Sequence, residues 1–393
     1  MGKQKVIIIG HGYTSRLGLI RSFGYAGFEV TVIVTMYGKV NAKKPLDCYS
    51  KFVGAIYYCG AKDETGLISI LLNKCKDDQQ KPVIIPDSDW SAAIVDSNKE
   101  VLKEFFVFPF TNNHNVEYWM DKGNQKMLAS EIGLNTPKSV SIHIEEDKAI
   151  VPDMVEYPCF TKSLMTKSGG KQCFSRCDDK YQLESTLNSF EQKGYRDILI
   201  EDFVNIEKEY AIVGLSDGQD VLIPAVLEFI ENCQCHNGIA RLGKVQPVIG
   251  FEKQIALFQE YVRRTGFVGL FDIDFFYSQG KYIFGEMNFR FGGSGYSVTK
   301  MGVNLPALFV KRVAEDIMDP VLPITRSAIY VNERMCLDDC ASRNISYCEY
   351  REAIKTADIS FIYDAEDSLP QKYYGREVRK ELFKSIVRRC LKK

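Results

Sequence analysis

Histidine and tryptophan are scarce, with four and two in 393 residues. No histidine falls in a nucleophile pattern, so neither a Ser-His-Asp nor a Cys-His hydrolase has support in this sequence. Net charge is nearly absent as well. Fifty Lys plus Arg stand against 51 Asp plus Glu, a formal charge of -1. Such a chain lacks the positive field that holds a phosphate backbone, and no nucleic acid is expected as a partner. No run approaches the roughly 18 apolar residues of a spanning helix. Residues 1–5 lead straight into a strand without a signal-peptide core, so a cytoplasmic protein is expected. Twelve cysteines are present but no Cys-x-x-Cys pair, which points to reduced thiols rather than a disulfide framework. Cys233-x-Cys235-His236 lacks a second pair at zinc spacing and reads as small fillers beside a loop.

What is present is ordinary globular material, 45% hydrophobic and 26% charged. Its length suits two to three domains at about 150 residues each. Lys5-Val6-Ile7-Ile8-Ile9 is a β-branched run, followed by Gly10-His11-Gly12 and an apolar-periodic stretch through Leu17, Leu19, Ile20 and Phe23. That is a strand, a glycine turn and a helix. Val30-Thr31-Val32-Ile33-Val34 follows at βαβ spacing, and residues 82–86 read as another buried strand ending in Asp87-Ser88-Asp89. Ligands gather at the carboxyl ends of such strands, so Gly10, Gly12 and the Asp87–Asp89 turn are expected to share one crevice. The turn is not a nicotinamide fingerprint, because the third glycine position is Ser15 and the second strand ends without an acid for a ribose. The first domain is expected to end near Asn115.

From Val116 a polar-apolar helix runs through Asp121-Lys122 to a Gly133 cap, with Pro137 opening an extended segment. Strands are expected at residues 155–162, 197–204 and 209–214, a polar loop at 166–171, and a helix near 180–193. Residues 270–277 and 282–288 form two strands joined by Ser278-Gln279-Gly280-Lys281, a hairpin. Alternation places Asp272 and Asp274 on one face of the first strand, and Glu286 and Asn288 on one face of the second. Pairing then sets Asp274 opposite Glu286 and Asn288. Adjacent carboxylates repel unless a cation neutralises them, and hard oxygen ligands of this kind suit Mg²⁺ carrying a polyphosphate. A solvated sheet face is the alternative.

Taken in order, these segments resemble the ATP-grasp superfamily. Asp121-Lys122 through Gly133 and Pro137 is similar to its entry helix, residues 158–162 to its strand bearing a phosphate lysine, and Thr166 to Lys171 to its glycine-rich loop. Ile200-Glu201-Asp202-Phe203-Val204 resembles the adenine hinge, and Glu286-x-Asn288-x-Arg290 the metal signature. The resemblance spans residues 116 to 320, and the N-terminal segment is similar to the pre-ATP-grasp domain of carboxylate-amine ligases, most of all those of the D-aspartate ligase type.

The resemblance implies an α/β chain: a Rossmann-like domain over 1–115, a small lobe over 116–199, a large catalytic lobe over 200–320 and a C-terminal appendage over 321–393. It implies an ATP-dependent carboxylate-amine ligase that forms an amide through an acyl phosphate and releases ADP and phosphate. ATP and Mg²⁺, with Mn²⁺ as a possible substitute, are the implied cofactors; the partners are small or carrier-linked acids and amines, and a homodimer is allowed. In this reading Lys122 and Lys162 hold phosphates and Ser168, Gly169 and Gly170 close over them. Glu201 and the backbones of Asp202 and Val204 read adenine, and Glu209 holds the ribose, with Asp202 and Glu207 as competitors for the two acids' roles. Asp274, Glu286 and Asn288 ligate metal, and Arg290, with Lys162, is catalytic. A carboxylase-like relative using bicarbonate and a nucleotide-binding regulator without turnover are the alternatives.

Substrate-side candidates are Gly10, Gly12, then Arg241 and Lys244 in a glycine-punctuated loop between strands, and Lys300 and Asn304 near the same pocket, where Asn304 could instead cap a helix. Residues 375–393 show one apolar stripe of Val378, Leu382, Phe383, Ile386 and Val387 opposite a basic face. Residues 376–393 would then either lie on an anionic membrane surface or dock on the core with the basic face in water.

Overall fold

The computed structural model describes residues 3–36, 44–144, 151–164, 174–236 and 238–391, with side chains through residue 382. The β-branched run near the N-terminus forms the strand Lys5–Gly10, and the next forms Glu29–Met36. Both belong to a four-stranded parallel sheet that Val83–Pro86 and Val53–Gly60 complete. Val53–Gly60 escapes the sequence reading because its run Ala55-Ile56-Tyr57-Tyr58-Cys59 holds a single β-branched residue and its side chains are mostly half-buried. The helix Thr14–Tyr25 crosses over between the first two strands. Gly18 sits there because the Tyr296 side chain packs where its Cβ would lie.

Two antiparallel sheets follow. The smaller one orders Ser139–His143, Asp197–Asp202, Cys159–Ser163 and Ser175–Cys177, with the helix Lys180–Gln192 packed on it through Leu183, Leu187 and Phe190. Because Asp197–Asp202 is one strand of this sheet, the sheet runs past residue 199. The larger sheet is built on Lys281–Asn288, Phe267–Ser278, Lys208–Ser216, Val226–Asn232 and Ala240–Gln246. Its first two strands are the expected hairpin. Gln279 (φ 49°) and Gly280 (φ 78°) carry the paired positive dihedrals of a two-residue turn matched to strand twist. The helix Glu252–Thr265 covers this sheet, seating Phe258 and Tyr261 against Phe275 and Phe284 at ring distances of 5.1 and 4.9 Å.

Residues 321–391 are more than an appendage. Ala328–Val331 pairs with Ala240–Gln246, and Ile359–Ser360 extends that edge in parallel. Arg21, fully buried in the N-terminal crossover helix, donates to Asp367 and to the carbonyls of Phe361 and Ile362, all at 2.9 Å. The C-terminal segment thus ties the parallel sheet to the large antiparallel one. The helix Ser368–Leu391 starts seven residues before Gly375, and Tyr374, Val378 and Leu382 pack with Leu17 and Leu337. Of the two placements open to the apolar stripe, the described part, through Leu382, takes the docked one and packs on the core. No described helix is long and apolar enough to cross a membrane.

Candidate functional site

A cavity of about 460 Å³ opens between the small sheet and the hairpin of Phe267–Ser278 and Lys281–Asn288. Lys162, Glu201, Asp202, Phe203 and Val204 line it from the small lobe; Glu209, Asp274, Phe276 and Glu286 line it from the large one. Phe160, Phe174 and Phe229 give it aromatic walls of the kind a purine stacks on.

The helix Lys122–Glu131 delivers the cations. Asp121 caps it by accepting from Asn124 N at 3.0 Å, so this acid is structural. Buried Gln125 pins the helix to the strand Lys281–Asn288, donating to Met287 O at 2.9 Å and accepting from Met287 N at 2.7 Å. Lys122 and Lys126, one turn apart on that face, are thereby held rigid. Lys122 Nζ lies 2.8 Å from Glu286 Oε2. Burial alone would raise the Glu286 carboxyl, but the Lys122 ammonium brings it down to about 2. Lys162 Nζ lies 2.8 Å from Glu201 Oε1, and Lys126 pairs with the other oxygen. Burial pushes Lys126 down to about 8 against the pull of Glu201. Glu201, itself buried, is held below the usual carboxylate range by the two lysines. Sequence reasoning missed Lys126. Its signal was the spacing Lys122-x-x-x-Lys126 on a helix.

Glu207 and Glu209 separate cleanly. Glu207 accepts from Gln279 N at 2.7 Å in the hairpin turn, whereas Glu209 lines the cavity and accepts from Asn232 Nδ2 at 2.8 Å. Along the hairpin Asp274 faces Glu286, as expected, but Asn288 faces Asp272. Asp274 and Asn288 are offset because each occupies its own cross-strand pair. Asp272 therefore joins the cluster, with Oδ1 buried and unpartnered and its carboxyl raised by burial against the nearby Arg290. Asp274, Glu286, Asn288 and this orphan oxygen are a hard-oxygen set that fits Mg²⁺.

Arg290 Nε lies 3.2 Å from Asp89 Oδ1, which brings the end of the parallel sheet to the acidic hairpin. The expected crevice is there. A Cβ at Gly12 would overlap Asp87 Oδ2 and the Ser15 hydroxyl, and one at Gly10 would crowd Asp87, so both glycines exist for the approach of this acid. Asp87 is buried without a hydrogen bond of good geometry among the described residues. Burial pushes its carboxyl up to about 6, although Arg16 and Ser15 oppose the rise.

Other candidates lie elsewhere. Arg241 and Lys244 stand on the strand Ala240–Gln246, not in a loop; Gly243 is needed there because Tyr330 packs against it. Both are committed, Arg241 to Glu231 (2.7 Å) and Asp339 (2.9 Å), Lys244 to Glu228 (2.7 Å). Lys300 is outside the cavity, 3.7 Å from Asp364, and Asn304 caps the helix Leu305–Ala314 through Ala307 N. Cys233 and Cys235 place their sulfurs within 4.8 Å of Asp339, yet that carboxylate already takes donors from Gln234 N, Cys235 N, Arg241 and Asn344. Ser168, Gly169 and Gly170 lie outside the described residues.

Comparisons with known proteins find similarity along the chain and in the fold. Residues 127–305 match the ATP-grasp domain family. The arginine-specific large chain of carbamoyl phosphate synthase from Bacillus subtilis (strain 168) is 28% identical over 198 residues, 49% of this chain. The chain spans only 19% of that relative's length. Among solved structures, an L-amino acid ligase from Bacillus licheniformis superposes with a TM-score of 0.59 at 17% identity, over 84% of this chain and 80% of that one. A biotin carboxylase complex from Campylobacter jejuni gives 0.64 at 15% identity, over 83% and 74%. Residues 127–305 are thus similar to the ATP-grasp domain, and the chain has the fold of these ligase and carboxylase structures.

Proposed function

We propose that this protein is an ATP-dependent carboxylate-amine ligase. The observation that carries the reading is the convergence, around one aromatic-walled cavity, of three lysines paired with Glu286 and Glu201 beside an acid-rich metal hairpin. Buried ammonium groups resting on carboxylates are a standing reserve of positive charge. Phosphoryl transfer asks of a protein mainly position and neutralisation, and Lys122, Lys126 and Lys162 would move from glutamate to phosphate as the nucleotide enters. Adenine would stack between the phenylalanines, read by Glu201 and the backbones of Asp202 and Val204, with its ribose on Glu209. Asp274, Glu286 and Asn288 would hold Mg²⁺, which supplies charge neutralisation at the phosphates when bound. Arg290, braced by Asp89, would orient the acid so that its oxygen attacks the γ-phosphorus as ADP leaves. The amine nitrogen then attacks the acyl carbon, phosphate departs, and the amine's proton passes to solvent or a nearby carboxylate.

Bicarbonate as the acid is the second reading, favoured by the carboxylase among the structural neighbours. The test is Mg²⁺-dependent ADP and phosphate release across a panel of amino acids, dicarboxylates and bicarbonate, with hydroxylamine to trap an acyl phosphate. A hydroxamate from one acid is the expected result. ADP release with bicarbonate alone transfers the assignment to the second reading. Bound ATP with no turnover across the panel overturns both in favour of a nucleotide-responsive regulator.

A further inference from the structure

The helix Glu333–Ser342 lies in the C-terminal segment, and its Asp339 is fully buried without lining the cavity. Its carboxylate accepts from Gln234 N at 3.0 and 3.1 Å, from Cys235 N at 3.1 Å, from Asn344 Nδ2 at 3.1 Å and from Arg241 Nη1 at 2.9 Å. Two carboxylate oxygens offer about four acceptor sites, so this group is saturated and holds no room for a metal. Burial alone would raise Asp339, yet these donors hold it at about 2, and it stays charged at any physiological pH.

Its partners matter because of where they lead. Gln234 and Cys235 follow directly on Asn232 and Cys233 at the end of the strand Val226–Asn232, and Cys233 and Gly238 line the cavity. Asn232 donates to Glu209, the acid assigned above to the ribose. Arg241, on the returning strand, closes the other side by pairing with both Asp339 and Glu231. A single buried charge outside the matched domain thus fixes both stems of one turn, and the turn fixes the donor that aims Glu209.

We infer that Asp339 is a positioning residue for the ribose end of the nucleotide site, acting through the Gln234–Cys235 backbone and Asn232 on Glu209. The inference rests on the ATP reading given above. Asp339→Asn keeps the shape but turns an amide N–H toward backbone N–H groups and a guanidinium, so the turn loses its anchor.

The test measures equilibrium affinities of the full chain for Mg·ATP and for Mg·2′,3′-dideoxy-ATP, with a thermal melt to show that each variant is folded. Wild type is expected to prefer ATP. Asp339→Asn should weaken ATP binding by about tenfold while changing dideoxy-ATP binding by less than about twofold, collapsing the preference. Asn232→Ala should give the same collapse with Asp339 intact. Where Asp339→Asn does not fold, Asn344→Ala loosens the same carboxylate from the surface and should shift the ratio in the same direction. An unchanged ATP to dideoxy-ATP ratio in folded Asp339→Asn, or in Asn344→Ala where that is the variant available, overturns the inference and leaves the ATP reading standing. Failure of the wild type to bind ATP overturns both.

Discussion

The cavity and the crevice beside it treat charge in opposite ways. On the nucleotide side every buried cation has a named anion: Lys122 rests on Glu286, and Lys126 and Lys162 share Glu201. On the side facing the parallel sheet the surplus is negative, with Asp87 and one oxygen of Asp272 buried without a hydrogen bond of good geometry among the described residues and Arg290 the cation between them. Paired charges keep their ordinary ionisation and can be handed to a ligand; unpaired ones are raised by burial and cost stability until something neutralises them. In the reading proposed above, the first half would receive anions and the second positive charge.

The largest effect should come where the two halves meet. Glu286→Gln removes a metal donor and strands Lys122, and turnover should fall by about 10²–10³-fold in a chain that melts at a lower temperature but still cooperatively. Steady-state ADP release with Mg²⁺ checks this, and a fully active variant would remove Glu286 from the metal set. Next comes the shared acid. Lys126→Ala or Lys162→Ala alone leaves Glu201 one partner, and each should weaken nucleotide binding or transfer by about tenfold. The double variant strands a buried carboxylate and should lose about 3–5 kcal/mol of stability in denaturant unfolding. That loss should exceed the sum of the single changes; strict additivity would show that the lysines do not share Glu201.

The same contrast marks what could be read in the sequence. Paired elements announced themselves: β-branched runs gave three of the four parallel strands, alternation with a glycine turn gave the hairpin, and the ordered motifs placed Lys122, Lys162, Glu201 and Glu286 in one place. Lys126 was one helical turn from Lys122 and needed only that periodicity. Asp272 shared a face with Asp274, but strand register, not spacing, decides which residue it faces. Arg241 and Lys244 read as loop because Gly238 and Gly243 break the pattern, and the partner that makes Gly243 necessary, Tyr330, lies far along the chain. Residues 321–391 carry no motif. Their contribution, the Arg21 anchor and two edge strands, consists entirely of contacts distant in sequence.

Asp87 offers the finest measure of the contrast. Its carboxyl rises from 3.8 to about 6 in the folded chain through burial, so the folded state holds the proton more tightly than the unfolded one. Stability from this group is complete below the unfolded value and is lost as pH rises through about 6. The shift of roughly 2 units bounds the loss at about 3 kcal/mol. Asp87→Asn cannot ionise and should therefore be more stable than wild type by about 3 kcal/mol at pH 8, an advantage that shrinks to about 1 kcal/mol at pH 4.5 and is lost below the unfolded value. Unfolding curves of both proteins at the two pH values give the comparison directly. An equal difference at both would mean that Asp87 is as well compensated as Glu201, and the two halves of the site would then differ in shape but not in charge.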